Sequence, residues 1–268
     1  MIGSNEHCRL NIRRNRKAAS PAISMVIMVA ATVVLVMVSS SFALQALERQ
    51  QAAAEFDTVQ KSVLAFDDAV RDIAWDLGGS RSVRFTTHYG NMRLVSSSKS
   101  FSISMPGVSE PYEFTTSVVK YYMPFSYFTL GNEYSAYILG SSSTVVSSVT
   151  DSFGQVLVKQ EKGFASIALN YRVRVSRQGP STYVETMQQS INYVDILVIR
   201  LNCLNVTIGS GDFDLVAKNI GITTNSYPAD LAAAGAISVV SDEVSASVIL
   251  EAGHYMFNLI IADVQVSY

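Results

Sequence analysis

The chain has 268 residues, 49% of them hydrophobic and 16% charged, against roughly 25% charged in an average soluble domain. Disorder is excluded, because 12 Phe and 13 Tyr together with many Val and Ile can bury a core. Two cysteines in a chain of this length exclude a disulfide-stapled miniprotein. The formal net charge of -2 is unevenly spread: residues 1–18 carry Arg9, Arg13, Arg14, Arg16 and Lys17 against Glu6, and the remaining residues are net acidic. An acidic body argues against nucleic acid as a partner, since phosphate recognition needs a basic surface.

Ala18 to Leu47 contains no charged residue, and its centre, Ile23 to Val38, is almost wholly apolar. About 20 apolar residues cross a bilayer, so this segment spans with residues to spare, and in lipid its backbone must be helical. The transmembrane part is predicted at about 22–44. Basic residues precede it while Glu48 and Arg49 follow. The positive-inside rule therefore places the N-terminus in the cytoplasm and the rest outside, as a single-pass topology. Three fates compete for the segment. A Sec signal would be cut after Ser41-Phe42-Ala43, but the apolar stretch exceeds the usual 7–15 residues of such a signal. A signal anchor would stay uncut. The third fate lies at the junction Arg16-Lys17-Ala18-Ala19-Ser20-Pro21-Ala22-Ile23, where basic and small residues directly precede the apolar run.

That junction resembles the class III signal peptide of archaeal type IV pilins: a basic residue, a small residue, a cut, then Ser-Pro-x-Ile and a long apolar helix. The matching residues are Lys17-Ala18, then Ala19, then Ser20-Pro21-Ala22-Ile23. The resemblance covers about residues 13–40. It implies a cytoplasmic leader, 1–18, removed between Ala18 and Ala19 by a prepilin-peptidase-type membrane aspartic protease, with Lys17, Ala18, Ala19, Ser20 and Pro21 as the processing site. Bacterial pilins carry Glu at the fifth mature position, where this chain has Ile23; archaeal members generally lack that acid. Loss of the basic leader would release the helix to pack sideways with copies of itself or related pilins, helped by small residues such as Ala30, Ala31, Ser39, Ser40 and Ser41. Ser20 before Pro21 reads as a helix N-cap and first-turn proline.

Beyond Leu44 the pattern becomes amphipathic. Phe56, Val59, Val63, Phe66, Val70, Ile73 and Leu77 alternate in spacings of three and four, with Glu55, Asp57, Lys61, Asp67, Asp68, Arg71 and Asp72 off that stripe. Gly78-Gly79 supplies a left-handed stop. One long N-terminal helix is therefore predicted over 19–79, its first half membrane-spanning and its second half packed on a following domain. A membrane anchor plus a separate core helix, or a short coiled coil, would give the same stripe.

From Ser80 onward short β-branched and aromatic runs alternate with Gly, Pro, Asn and Ser. They predict strands at 82–87, 92–97, 101–105, 112–122, 134–139, 144–150, 155–159, 165–175, 182–186, 191–201, 204–208, 213–218, 236–240, 246–250 and 254–266, with a helical turn at Asp230–Ala234. The fold class is α+β: a long helix followed by an antiparallel β-sandwich-like head over 80–268, or two smaller sheets divided near Gly179-Pro180.

No chemistry-bearing constellation emerges. His7, His88 and His254 are isolated, Cys8 lies in the leader, and Cys203 stands alone as a small buried residue. There is no nucleophile elbow and no phosphate-cradling loop. No enzyme activity, cofactor or metal is therefore expected. Asp212 and Asp214 in Gly209-Ser210-Gly211-Asp212-Phe213-Asp214 fall short of a calcium ligand set. Asn205-Val206-Thr207 is a glycosylation sequon. Tyr121 to Phe128 is the densest aromatic patch and reads first as packing, second as a sticky surface. The resemblance implies a surface-filament subunit serving adhesion, with membrane lipid as its surroundings before assembly. The competing reading is a single-pass anchored extracytoplasmic binding or cell-envelope protein that does not polymerise.

Overall fold

The computed structural model describes residues 16–148, 150–179, 182–184, 189–242 and 244–268, with side chains described from Ile23 onward except at 182–184 and Gln189. Helix α1 runs Arg16–Ile73, through a sequence with no glycine and a single proline. It starts ahead of Pro21, so Ser20 lies inside it and does not cap it. Pro21 sits near the helix start, where the missing N–H removes little hydrogen bonding. The chain forms two compact units, Met1–Gln50 and Gln51–Tyr268. Helix α1 followed by a β-rich head is an α+β, sandwich-like architecture.

Two sheets make up the head. The first has the order β1 (Ser80–Thr87), β12 (Gly211–Leu231), β15 (Gly253–Ser267), β10 (Gln189–Asn202), β8 (Val173–Arg177) and β5 (Val145–Val146), with β9 (Thr182–Val184) on β10. The second has the order β14 (Val244–Leu250), β13 (Gly235–Ser241), β2 (Asn91–Ser104), β3 (Tyr112–Pro124), β7 (Phe164–Tyr171), β6 (Gly154–Glu161) and β4 (Ser135–Leu139), with β11 (Val206–Ile208) on β2. Each sheet takes strands from both sides of Gly179, and Pro180 lies outside the described residues.

Pairing is antiparallel except for β10 with β15, in register from Ile191↔His254 to Asn202↔Gln265, and the short β5 with β8. The predicted strands at 92–97 and 101–105 are one strand, β2, with an irregularity between Val95 and Lys99 and Ser97 at φ 46°. The predicted strand 165–175 is two: β7 belongs to the second sheet and β8 to the first, and between them the Arg172 N–H donates to the Phe153 carbonyl at 3.1 Å. The predicted strand 213–218 continues to Leu231, so Asp230 and Leu231 are strand residues and no helical turn forms there.

The described residues form two apolar cores. One joins the second half of α1 to both sheets and the other joins the sheets to each other. Successive residues of a strand point to opposite faces, and the long strands use both. In β10, Val194, Ile196 and Val198 enter the sheet–sheet core while Ile199 and Leu201 enter the helix core. In β15 the change falls between Ile261 and Ala262, and in β3 between Val118, buried but in neither core, and Val119.

Candidate functional site

Every residue from Ile23 to Gln51 is exposed, and the apolar part of this stretch is long and apolar enough to cross a membrane. Exposed apolar surface of this extent does not persist in water. Lys17, Ala18, Ala19, Ser20 and Pro21 fall on the backbone of α1, but their side chains lie outside the described residues.

From Ala52 the helix changes character. Phe56, Val59, Val63, Phe66, Val70 and Ile73 are buried in the core shared with both sheets, each worth about 1.5–3 kcal/mol of apolar burial. Leu77, the last residue of the predicted stripe, is 69% exposed because the helix has already ended. The reason for the early end lies far along the chain. Asn219, buried in β12, donates its Nδ2 to the carbonyls of Ile73 and Ala74 at 3.1 and 2.6 Å and accepts the Gly221 N–H on Oδ1 at 2.9 Å. Helix C-termini leave carbonyls without intrahelical donors, and here one amide serves two of them. Gly78 follows in the left-handed region, at φ 82°, and its N–H donates to the Asn219 carbonyl.

Two carboxylates flank the stripe, and one of them, Glu55, ties the helix to the sheets. Glu55 accepts the backbone N–H groups of His88, Tyr89 and Gly90, at 2.8 to 3.2 Å, and the Tyr121 hydroxyl at 2.6 Å. The turn between β1 and β2 thus closes around one side chain of the helix. Gly90 has to be glycine, because a Cβ there would overlap the Tyr121 hydroxyl. Burial, with Glu55 beside it, holds that hydroxyl protonated far above its ordinary range. Asp67 is fully buried, takes the Arg71 Nε at 2.8 Å, and lies against Gly154, where a Cβ would overlap Oδ1. Burial raises its carboxyl above the ordinary value, and Arg71 pulls the other way without cancelling it. Both acids read from sequence as off-stripe residues. The signal that places them inward is local: Asp67 is four residues after Val63 and three before Val70, and Glu55 is four before Val59.

Asp212 is engaged by Thr86 at 2.6 Å and Arg84 at 3.1 Å, which hold its carboxyl below the usual range. Among the described residues no cluster of His, Cys, Asp or Glu could hold a metal ion. Asn205 is exposed just before β11; its Oδ1 accepts the Ser96 N–H at 3.0 Å, which leaves Nδ2, the atom a glycan would join, pointing to no described acceptor. Of the aromatic patch, Tyr121 and Met123 are buried, Tyr122 packs edge-on to Phe164, and Phe128 lies 4.7 Å from Phe56, while Phe125 is exposed. Cys203 is half-buried, and burial raises its thiol.

Compared with known proteins, the chain matches no family model, no curated protein and no solved structure.

Proposed function

We propose that the protein is a structural subunit of an archaeal type IV pilus-like surface filament, assembled by packing of residues 19–50 and serving adhesion. The observation that carries this reading is the division of α1: a half with every described side chain exposed and an uncharged apolar run, followed by a half buried on a β-rich head. An isolated core helix needs no such extension. A bilayer span needs only about 20 residues, whereas the uncharged run from Ala18 to Leu47 is longer. The junction Lys17-Ala18-Ala19-Ser20-Pro21 supports the reading through its resemblance to a class III signal.

In this mechanism the leader holds the precursor in the bilayer with its head outside. A prepilin-peptidase-type protease removes residues 1–18. The trimmed helix then exchanges lipid for copies of itself or related pilins, where tight packing of small and apolar residues replaces lipid contact. The chain supplies shape and surface and performs no catalysis. N-terminal sequencing of the membrane-extracted protein tests the reading: a terminus at Ala19 supports it. A terminus at Met1 assigns the chain to non-polymerising membrane-anchored proteins, and one at Leu44 to secreted proteins.

A further inference from the structure

Asn205-Val206-Thr207 is the chain's single Asn-x-Ser/Thr sequence, and its middle residue is not proline. It starts on the last residue of the link between β10 and β11 and runs into β11, which among the described residues pairs with β2 alone. Successive residues of an extended chain point to opposite faces. Ile208 is buried in the helix core and Val206 packs partly against it, whereas Asn205 and Thr207 are both exposed. The two side chains that define the sequon therefore share the outward side of a strand with one free edge.

The two ends of the Asn205 amide are used differently. Its Oδ1 accepts the Ser96 N–H at 3.0 Å, which fixes the plane of the group. That bond uses only the carbonyl oxygen, so an aspartate would make it equally well. Nδ2 has no described acceptor, and Thr207 takes no part in the bond to Ser96. A purely structural role for Asn205 thus leaves both the amide nitrogen and the hydroxyl two residues on without a use.

We infer that Asn205 carries an N-linked glycan, an inference that rests on the topology placing the head outside the cell. The donor is a lipid-linked oligosaccharide and the catalyst a membrane-bound transferase. In the transfer, Nδ2 gives one proton to a base of the transferase and bonds to the anomeric carbon of the first sugar. The bond from that carbon to the lipid phosphate oxygen breaks, and the lipid phosphate or diphosphate leaves with the electron pair. Nothing is oxidised or reduced. The product is still an amide, so Oδ1 keeps the Ser96 N–H and the fold accommodates the modification without rearrangement.

Trypsin cuts after Arg200 and Lys218, so Leu201 to Lys218 form one peptide that holds Asn205 and also Asn202, which lies outside any sequon. In protein isolated from the cells that natively make it, this peptide is expected to carry an added mass of whole monosaccharide units, placed on Asn205 by fragmentation. Thr207→Ala changes an exposed side chain and leaves Asn205 and its Ser96 bond in place. It is expected to abolish the added mass, as is Asn205→Gln, while Thr207→Ser keeps it. Protease added to intact cells reports separately whether the head lies outside. An unmodified Asn205 in a head that the protease reaches overturns the inference and leaves the topology standing. An unmodified Asn205 in a head that it does not reach overturns both. A sugar mass on Asn202, or one that persists in T207A or N205Q, also overturns the inference.

Discussion

The Tyr121 hydroxyl on β3 donates to the Glu55 carboxylate on α1 at 2.6 Å, joining positions 66 apart in sequence. That bond passes directly over Gly90, whose N–H donates to the same carboxylate. Glu55→Ala strips the acceptor from three backbone N–H groups and one hydroxyl, and is expected to destabilise the head by about 2–4 kcal/mol in denaturant unfolding. Tyr121→Phe is expected to lose about 1 kcal/mol, and the double variant less than the sum because the two share one interaction. Gly90→Ala is expected to be destabilising in its own right, through the Tyr121 ring, and Tyr121→Phe does not relieve it.

Asp67 gives stability a pH signature of unusual sign. Its carboxyl titrates above the ordinary 3.8 in the folded state, because burial outweighs the Arg71 charge. The folded state therefore holds the proton more tightly than the unfolded one. The penalty for burying the charge is full at neutral pH and declines as pH falls from the raised value toward 3.8. Relative to Asp67→Asn, the parent is expected to gain stability over that window. Unfolding curves of both proteins across the acid range check it; parallel pH profiles would count against a buried, raised Asp67.

Asn219 binds the end of the helix from β12. Asn219→Ala strips the buried Ala74 carbonyl and the part-buried Gly221 N–H of this partner, while the Ile73 carbonyl keeps the Asp76 N–H at 3.0 Å, with an expected loss of about 1–3 kcal/mol. Asn219→Asp is expected to be worse, since a carboxylate has no donor to offer those carbonyls. Amide hydrogen exchange at the last turn of α1 would show the fraying directly.

These contacts also mark what sequence can and cannot show. The stripe from Phe56 to Ile73 was legible because one helix face obeys its own periodicity, whatever it packs on. The helix end was misplaced because its cap, Asn219, lies 146 positions from Ile73, and no local pattern reveals it. Strand positions followed from β-branched and aromatic runs, but pairing did not. The parallel pairing of β10 with β15 depends on where the chain travels in between. Gly221 and Pro228 lie beyond the predicted strand 213–218 but within β12. The strand runs through them because an irregularity absorbs the Asn219–Gly221 step, and β1 flanks only Gly211–Lys218. Pro228 therefore sits where β12 has no second neighbour, and its missing N–H removes no ladder bond there.

On the proposed function, a charge in the exposed apolar half of α1 is expected to affect assembly and not the folding of the head. Val34→Asp is expected to leave the unfolding transition of the head unchanged. In the bilayer centre it adds roughly 2.5–3.5 kcal/mol to insertion, and in a helix bundle it leaves a carboxylate unpaired. Loss of surface filaments with a normally folded head is the expected phenotype; filaments at parental levels would contradict packing through this segment.

The most direct measurement is mass spectrometry of the N-terminal peptide of this chain in filaments sheared from the cell surface and in the membranes left behind. A chain starting at Ala19 in the filament fraction is predicted. A chain confined to the membranes and still carrying residues 1–18 would contradict the account.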